Sequence, residues 1–335
     1  MPHHAATALP EGSTLFVTGG SGFLGRNLIQ DLITRGFKVR ALARSQGSAT
    51  QVQRLGAEAI MGDLDSLPAM TAGMTGCAAV IHAAAKVDQW GEWSDFLNTT
   101  VKGTENVLEA ARQARVKRFI HVSSEAVLAG GQPIIDVDEN TAIPTQAVGF
   151  YPLSKRMAEE RVRSANTDTF QTLIVRPRFI WGQGDTTLLP KLAEAARTGQ
   201  WLWFGGGTHS MSTCHVLNVC YGIYLAACYG KGGETYFLTD GEPVNFRVFL
   251  TALIESQGVS PGNRNAPLWV AELFAAVSEG LWRFLPLKGQ PPLTKTAVNL
   301  FFKPVTVKNT KSVKELGYSP VITVEQGLQQ LSKVN

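Results

Sequence analysis

The sequence predicts an α/β protein built on a doubly wound parallel sheet, followed by a smaller C-terminal lobe. Short apolar segments alternate with helix-like segments through the first half of the 335-residue chain, and a glycine-rich loop follows the first of them. Such alternation predicts parallel strands whose two faces are both covered by helices. A hydrophobic content of 44% suits a core of this size.

Six apolar segments are predicted to form the strands of the sheet. In chain order they read TLFVTGG, KVRALAR, EAIMGDL, AAVIHAAA, RFIHVSS and TLIVRPR. Sheets of this class bind ligands beyond the carboxyl ends of their strands, so the residues that follow each segment are expected to carry the site.

The composition changes after Arg178, where prolines, glycines and tryptophans become frequent. We therefore predict a flexible leader over residues 1–11, a dinucleotide-binding domain over 12–180 and a mainly substrate-binding lobe over 181–335. Parts of residues 209–250 are expected to return and pack on the first domain.

The glycine-rich loop over residues 18–25 reads TGGSGFLG, with glycines spaced G-x-x-G-x-x-G between a predicted strand and helix. Small residues let the backbone approach phosphate oxygens, and a helix N-terminus favours their negative charge. This context predicts a Rossmann-type dinucleotide site and outweighs the alternative that the glycines only form turns.

The second predicted strand ends in Ala43, Arg44 and Ser45, where many dinucleotide-binding units carry an acid that bonds the ribose 2′-hydroxyl. An arginine and a hydroxyl suit a 2′-phosphate instead. NADP(H) is therefore the predicted cofactor, and NAD(H) is the alternative if Arg44 only faces solvent. Asp63 and Leu64, after the third strand, are predicted to flank the adenine.

The fourth strand ends in Ala83, Ala84 and Ala85, whose small side chains would let a cofactor approach closely. The alternative that they are ordinary core residues stays open for each of them.

Tyr151 and Lys155 are spaced i,i+4 and therefore share one face of a predicted helix, near its start because Pro152 fits the first turn. The Lys155 ammonium and the positive helix end are expected to lower the pKa of the phenol, so that Tyr151 exchanges a proton with a substrate oxygen. Ser124 is predicted to hold that oxygen and Ser123 to face the cofactor, and the reverse assignment stays open.

The second lobe is rich in apolar and aromatic residues. Trp90, Trp93 and Trp181 are predicted to form the walls of an apolar substrate site, whereas Trp201 and Trp203 are interpreted as structural. Residues 268–285 predict a helix with one apolar side. The sequence leaves three roles open for this side: packing on the core, closing the site as a lid, or contact with a membrane surface.

Charge and cysteine content narrow the function class. The net charge of +4 is spread without a Lys/Arg block, which argues against a nucleic-acid partner, and no apolar run is long enough to predict a membrane span. The cysteines lack a C-x-x-C pair. A metal site of Cys214, Cys220 and Cys228 near His215 is the weaker interpretation. We predict no metal, and reduced thiols in a cytoplasmic protein.

Taken together, the motifs resemble those of extended short-chain dehydrogenase/reductases. The resemblance covers nearly the whole chain and rests on TGxxGxxG (18–25), GDL (62–64), KGTENVL (102–108), VSS (122–124), YxxxK (151–155) and RPRFIWGQGD (176–185). Within this superfamily the chain resembles the 3β-hydroxysteroid dehydrogenase-like branch, which includes bacterial sterol dehydrogenases and 2-alkyl-3-oxoalkanoate reductases.

The resemblance implies that Ser124, Tyr151 and Lys155 carry the chemistry, that residues 177–180 form the loop beside the nicotinamide, and that the helices after Thr100 and Tyr151 form a homodimer interface. The predicted cofactor contacts are Gly19, Ser21, Gly22, Phe23, Leu24, Gly25, Arg44, Ser45, Asp63, Leu64, Ala83, Ala84, Ala85, Lys86, Ser123, Tyr151, Lys155, Pro177, Phe179 and Ile180.

Two positions depart from this family pattern. Thr100 stands where many relatives carry an asparagine that holds a proton-relay water. Ala43 and Arg44 replace the ribose-binding acid of the steroid enzymes, which disfavours an NAD-linked steroid oxidation.

The sequence therefore predicts an NADP(H)-dependent oxidoreductase that interconverts a ketone and a secondary alcohol on a large hydrophobic substrate, either a 2-alkyl-3-oxo acid or a sterol. A nucleotide-sugar epimerase or dehydratase is the enzymatic alternative, disfavoured because the lobe is rich in Leu, Phe and Trp. A non-enzymatic NADP(H)-binding regulator is the alternative of another class, disfavoured by the Tyr151 and Lys155 pair.

Overall fold

The computed structural model of the chain describes residues 9–285 and 287–333. Most of the predicted leader, residues 1–8, lies outside the described residues. The strands are β1 (Thr14–Thr18), β2 (Lys38–Ala43), β3 (Glu58–Met61), β4 (Ala79–His82), β5 (Arg118–Val122), β6 (Ile134–Val137), β7 (Gln171–Pro177), β8 (Ile180–Trp181), β9 (Trp203–Phe204), β10 (Ser210–Met211), β11 (Cys214–His215), β12 (Thr235–Leu238), β13 (Val244–Asn245), β14 (Asn265–Ala266) and β15 (Val305–Val307).

The α-helices are α1 (Phe23–Thr34), α2 (Gln46–Arg54), α3 (Leu67–Met74), α4 (Trp93–Phe96), α5 (Gly103–Gln113), α6 (Phe150–Ser164), α7 (Leu189–Arg197), α8 (Val216–Tyr229), α9 (Phe246–Glu255), α10 (Leu268–Phe284), α11 (Lys295–Ala297), α12 (Thr310–Leu316) and α13 (Val324–Ser332). Two π-helical segments, Leu97–Lys102 and Val298–Phe302, follow α4 and α11 directly.

A seven-stranded parallel sheet with the order β12-β7-β5-β4-β1-β2-β3 forms the centre of the molecule. The order reverses between β1 and β4, which is where sheets of this class open a ligand crevice. The predicted fold class is thereby confirmed, and all six predicted segments form strands of this sheet. The prediction of six strands was incomplete, because β12 adds a seventh from the second half of the chain.

Apolar side chains cover both faces of the sheet. On one face Leu28 of α1 and Ile223 of α8 pack against strand residues such as Leu15. On the other face Val107 of α5 and Val162 of α6 pack in the same way. Because both faces are covered, the central strands β1 and β4 are almost wholly buried and read as apolar runs, whereas the edge strand β3 is partly exposed.

The second lobe is built around a separate aromatic core of α7, α9 and the short strands. Trp201 and Trp203 lie in this core with ring centroids 5.2 Å apart, and the Trp203 Nε1–H donates to the Gly262 carbonyl at 2.9 Å. Their structural interpretation agrees with this placement. The domain boundaries near residue 180 stay a prediction.

Helix α10 turns its small residues inward and its large apolar residues outward. Ala271, Ala275 and Ser278 are buried, whereas Trp269 and Phe284 are 62% and 84% exposed. Of the three roles left open for this helix, packing of its apolar side on the core is therefore wrong. No helix among the described residues is long and apolar enough to cross a membrane.

Candidate active site

A cleft of about 690 Å³ opens at the carboxyl ends of the central strands. It is lined by the loops after β1 to β5 and β7, by the start of α6, and by Leu300 and Phe301 of the second lobe. Most residues predicted for the site face this one cavity: Gly19, Ser21, Gly22, Phe23, Leu24, Gly25, Arg44, Asp63, Leu64, Ala83, Ala84, Ala85, Ser123, Ser124, Tyr151, Lys155, Pro177, Phe179 and Ile180. Among the predicted residues, Ser45, Lys86, Trp90, Trp93 and Trp181 are not part of its lining.

The glycine loop keeps open a space that side chains would fill. Gly19 has φ of +74°, and a Cβ there would meet the Ala84 nitrogen at 2.8 Å. A Cβ on Gly25 would lie 2.1 Å from the Gly19 carbonyl oxygen. Gly22 caps α1 without a side chain, so the helix N-terminus faces the cleft uncovered. This loop fits the diphosphate of a dinucleotide.

A buried hydrogen-bond chain, which the sequence did not indicate, supports the loop. The Thr18 hydroxyl lies 2.7 Å from His82 Nδ1, and His82 Nε2 lies 3.0 Å from the Thr104 hydroxyl. Thr18 also accepts the Ala84 N–H at 3.2 Å. Burial, assisted by the charge of Lys155, lowers the pKa of His82 to about 3, so the imidazole is neutral at pH 7.

At the end of the cleft beyond β2 and β3, Arg44 is exposed and its side chain is available to a ligand. Ser45 is not available, because its hydroxyl caps α2 by accepting the Ser48 N–H at 3.2 Å, and Ser48 lines the cleft in its place. Asp63 accepts the Ser66 hydroxyl at 2.7 Å, which lowers the pKa of its carboxyl.

The predicted catalytic side chains meet at the inner end of the cleft. Lys155 is buried, and its Nζ donates to the Val122 carbonyl at 2.9 Å. Burial lowers the pKa of Lys155 to about 8, against the opposing charge of Glu159 one turn further along α6. Tyr151 lies near the start of α6, and its phenol hydrogen-bonds with the Ser124 side chain.

The predicted direction of the Tyr151 pKa shift was wrong. The surrounding protein removes the phenol from water and raises its pKa to about 12; the Ser124 hydrogen bond opposes this effect, and the charge of Glu125 adds to it. The ammonium of Lys155 is directed at a backbone carbonyl instead of the phenol. Tyr151 is therefore held as a protonated acid in this structure.

Thr100, at the position of the family asparagine, does not face the cleft. It is buried in a π-helical segment, and its hydroxyl accepts the Lys86 N–H at 3.1 Å. Asn98 and Thr99 of the same segment line the cavity. A π-helical turn shifts the side chains by about one position, which sequence spacing alone does not reveal.

The three predicted substrate tryptophans are placed elsewhere. Trp181 is buried, and its Nε1–H donates to the Asp240 carboxylate at 2.8 Å, so it serves the packing of the second lobe. Trp93 packs against Phe150 with ring centroids 5.5 Å apart. The alternation of side chains along β8 was an available signal, because Ile180 faces the cleft and its neighbour must point away.

Other residues form the apolar walls instead. Val87, Leu188, Leu300 and Phe301 line the cavity. Phe179 faces it in a left-handed backbone conformation with φ of +48°, which few residues with a side chain adopt, and its ring packs edge-on against Phe301 at 5.4 Å.

Two buried charged residues of the cleft also went unrecognised in the sequence. Glu125 directly follows Ser124 and accepts its hydroxyl proton at 2.6 Å. Arg178 lies 3.4 Å from the other carboxylate oxygen and donates to the Leu300 carbonyl at 2.7 Å. Among the described residues no group of three or more His, Cys, Asp or Glu side chains could hold a metal ion, and all four cysteines are buried free thiols.

The strand order, the glycine loop at the switch point, and the Tyr151 and Lys155 pair beside a strand-end serine define an extended short-chain dehydrogenase/reductase. The model of the 3-beta hydroxysteroid dehydrogenase/isomerase family matches residues 16–268. The chain belongs to this family, which confirms the resemblance predicted from its motifs.

Two curated relatives can be aligned with this chain over nearly the whole length of both sequences. A 4-hydroxy-2-methyl-3-oxo-4-farnesyl-3,4-dihydroquinoline-1-oxide ketoreductase from Stigmatella aurantiaca is 48% identical and covers 94% of this chain and 95% of its own. A 2-alkyl-3-oxoalkanoate reductase from Stenotrophomonas maltophilia is 33% identical, with 95% and 98% covered. The chain is an oxidoreductase that acts on CH–OH and C=O groups.

A solved structure supports the fold independently. The dTDP-glucose 4,6-dehydratase DesIV from Streptomyces venezuelae, solved with NAD bound, superimposes with a TM-score of 0.75 over 95% of both chains. At 22% identity this likeness concerns the fold alone.

Proposed function

We propose that the chain is an NADP(H)-dependent reductase that converts a ketone on a large hydrophobic molecule to a secondary alcohol. The observation that carries this proposal is the meeting of the glycine loop with Ser124, Tyr151 and Lys155 in one cleft with apolar walls. The two relatives act, by their names, on a farnesylated 3-oxo quinoline oxide and on 2-alkyl-3-oxoalkanoates. Both are ketones with large apolar groups.

The cofactor would lie from the glycine loop to residues 177–180, with the α1 N-terminus at its diphosphate and Arg44 at a 2′-phosphate. When bound, it supplies a hydride at the inner end of the cleft. The raised pKa of Tyr151 keeps its proton in place until a substrate oxygen gains negative charge. Lys155 lies one turn further along the same face of α6 as Tyr151. It is positioned to hold the ribose and to stabilise the phenolate that remains after proton transfer.

The protonation state of the phenol in the ligand-free site suits the reductive direction. An acid with a pKa of about 12 is ready to give a proton at pH 7, as reduction requires. Oxidation would require the phenolate, which the surrounding protein and Glu125 disfavour in the ligand-free site.

The site offers less support for the nucleotide-sugar alternative. A sugar nucleotide brings a second diphosphate, which requires basic or amide donors in the substrate half of the cleft. The residues of the second lobe that line the cleft are mainly apolar, with Leu188, Leu300 and Phe301 among them.

The apolar side of α10 is proposed to rest on an anionic lipid surface from which the substrate enters. Leu273, Val277 and Leu281 are 56%, 51% and 46% exposed and lie on one side of the helix at i,i+4 spacing. Arg283 and Lys288 are exposed at its C-terminal end, so their charge complements anionic headgroups.

The two acidic residues of α10 form an ion pair and a hydrogen bond with neighbouring residues of the protein. Glu272 pairs with Lys303 at 2.8 Å, and Glu279 accepts the Lys295 N–H at 2.7 Å. The helix packs on the π-helical segment Val298–Phe302, which supplies Leu300 and Phe301 to the cleft. A lipid surface beneath α10 would therefore lie next to the substrate half of the site.

We also propose a cytoplasmic homodimer joined through α5 and α6. These helices pack side by side, and Arg161 on α6 pairs with Glu105 on α5 at 2.6 Å on the outer surface. Sedimentation equilibrium over a range of concentrations tests the dimer, and Arg161→Glu should weaken it by placing like charges at this surface.

The experiment that tests the function is NADPH oxidation with 3-oxo compounds and sterol ketones, including a series of increasing alkyl length. Each buried methylene contributes about 0.8 kcal/mol, so kcat/KM should rise about fourfold per carbon until the cleft is filled. A flat dependence on length among reduced substrates would contradict the hydrophobic site. Reduction that requires a nucleotide diphosphate would favour the sugar-nucleotide alternative.

A further inference from the structure

Residues 182–188, here called the strap, connect β8 to α7 along the edge of the cleft. Thr187 and Leu188 of the strap line the same cavity as Ser21 and Gly22 of the glycine loop. Most residues of the strap are exposed. The reaction proposed above assigns no role to this segment.

Both ends of the strap are fixed in the protein. Trp181, before it, is buried and donates its Nε1–H to the Asp240 carboxylate at 2.8 Å. Leu189, after it, is buried in the aromatic core of the second lobe. Gly182 and Gly184 have φ of +133° and +82°, a region that favours glycine, so the chain turns at both positions. Because the ends are fixed, the exposed middle can move only by rotation about backbone bonds within the strap.

The middle of the strap is joined to helix α1. The Arg26 Nη2 donates to the Gly184 carbonyl at 2.8 Å. Arg26 lies in the first turn of α1, where its backbone N–H donates to the Gly22 carbonyl at 3.0 Å. The helix turn that borders the diphosphate site is therefore hydrogen-bonded to the strap.

The carboxylate of Asp185 holds the strap in its folded shape. Its Oδ1 accepts the Thr187 N–H and hydroxyl, both at 2.7 Å, and the Leu188 N–H at 3.1 Å. Its Oδ2 accepts the N–H of Leu189 at 3.0 Å. These bonds lie within the strap or at its end, so they can persist when the bond to Arg26 breaks.

We infer that the strap closes over the diphosphate of the bound cofactor and that Arg26 is the positioning residue that holds it closed. The inference rests on the proposed NADP(H) site and adds control of cofactor exchange to it. The bond from Arg26 to Gly184 joins two parts of the protein and does not involve the cofactor. Its loss should therefore ease entry and exit alike, and the dissociation constant should change little.

The rival role for Arg26 is direct binding of a diphosphate oxygen, since a guanidinium carries five N–H donors. Loss of a direct contact raises the dissociation rate constant but not the association rate constant. The dissociation constant then rises by the same factor. The association rate constant therefore distinguishes the two roles.

Stopped-flow fluorescence of NADPH binding measures both rate constants. In Arg26→Ala each should rise about threefold to tenfold, the usual contribution of one hydrogen bond, while the dissociation constant stays within about twofold. Arg26→Lys can donate to the same carbonyl and should lie nearer to wild type. Arg197→Ala, which removes an arginine hydrogen bond to Glu194 on the surface of α7, is the matched control and should exchange cofactor like wild type.

Two further measurements test the strap itself. Asp185→Ala removes the bonds that hold Thr187 and Leu188, and it should raise both rate constants although Arg26 is unchanged. Hydrogen–deuterium exchange gives a readout that needs neither turnover nor cofactor. Peptides that cover the strap should exchange faster in Arg26→Ala than in wild type, and Arg197→Ala should keep the wild-type exchange.

A rise of the dissociation rate constant alone in Arg26→Ala, with Asp185→Ala like wild type, would assign Arg26 to the cofactor and overturn the inference. Rate constants that stay unchanged in both variants would overturn it as well. A wild-type protein that binds no NADPH would instead refute the proposed NADP(H)-dependent function, and the inference with it.

Discussion

The carboxylate of Glu159 and the guanidinium of Arg176 form two hydrogen bonds, of 2.8 and 2.6 Å, and both side chains are buried. The pair joins α6 to β7 behind the active site. Burial alone would raise the pKa of Glu159, but Arg176, together with Arg163 and Ser123, outweighs this effect and the pKa is lowered. The helix that carries Tyr151 and Lys155 is thus fixed to the sheet by a charge pair.

Loss of the pair between Glu159 and Arg176 should lower the stability of the protein more than its catalytic activity. Arg176→Met leaves the buried Glu159 carboxylate with only the partly exposed Arg163 as its ion-pair partner, at 3.0 Å, and we expect the free energy of unfolding to fall by up to about 3 kcal/mol in urea titrations. The double variant Arg176→Met/Glu159→Leu removes both charges and should recover most of the loss. A double variant as unstable as the single one would contradict this assignment.

Removal of the Tyr151 hydroxyl should separate chemistry from binding. In Tyr151→Phe we expect kcat for ketone reduction to fall at least about a hundredfold, the usual contribution of general acid catalysis, with NADPH affinity almost unchanged. Lys155→Met should impair both kcat and NADPH affinity. Stopped-flow turnover and fluorescence titration give the two quantities, and an active Tyr151→Phe enzyme would place the acid elsewhere.

Arg44 should decide between the two nicotinamide cofactors. A charge-assisted contact with a 2′-phosphate contributes about 1.5–3 kcal/mol, so NADPH should bind about tenfold or more tighter than NADH. Arg44→Asp should reverse this order by repelling the phosphate. Titration of both cofactors into both proteins measures the effect. Equal wild-type affinities would show that Arg44 does not select the cofactor.

The neutral, buried His82 should make stability dependent on pH. Its folded pKa of about 3 lies below the usual 6.5, because burial and the charge of Lys155 disfavour the imidazolium. The unfolded state therefore binds a proton that the folded state does not. The contribution of His82 to the free energy of unfolding is fully present above about pH 6.5. Below that pH it falls by about 1.4 kcal/mol per pH unit, until the pH reaches the folded pKa.

Urea unfolding between pH 7 and 5 tests this dependence, and His82→Gln should show a slope shallower by the contribution of one proton. His121, whose pKa burial also lowers well below the usual value, should keep part of the slope. An unchanged slope in the variant would mean that His82 is protonated equally in both states.

Membrane contact through α10 should depend on its exposed apolar side. Leu273→Asp/Val277→Asp should weaken binding to phosphatidylcholine vesicles that contain phosphatidylglycerol by about tenfold or more, because two apolar contacts are lost and two negative charges added. Val248→Asp, on α9 and 70% exposed, is the matched control and should bind like wild type. Vesicle flotation gives both affinities.

The exposed Trp269 provides a second measurement. Brominated lipids should quench wild-type fluorescence more than that of Trp269→Phe. If the double α10 variant binds vesicles like wild type but sediments at a lower mass, the apolar side joins two copies of the chain and the lipid assignment fails.

Features that depend on neighbours in the sequence were predictable. The six strands are short, mainly apolar runs, and the glycine loop and the Tyr151 and Lys155 spacing are local patterns of eight residues or fewer. β12 was missed because the segment TYFL is short, and its place depends on pairing with β7, some sixty positions earlier in the chain.

Features that depend on side-chain competition were not predictable. Ser45 could bind a phosphate or cap a helix, and the capping partner Ser48 decides which. The local charges near Tyr151 predicted a lowered pKa, but desolvation arises only when distant segments enclose the phenol. Trp181 differs from these two, because its direction was predictable: side chains alternate along β8, so Trp181 points away from the cleft that Ile180 faces.

The late position of β12 in the sequence constrains how the protein folds during synthesis and how its gene can be divided. The central sheet gains its outer strand only when residues 235–238 have left the ribosome, so the nascent chain carries β7 as an unpaired edge while much of the second lobe is synthesised. A fragment cut near residue 180 would expose that edge and the apolar surface that α8 covers, and would tend to aggregate. The cofactor half cannot be transplanted as a contiguous gene segment, and recombination within this family should preserve both halves together.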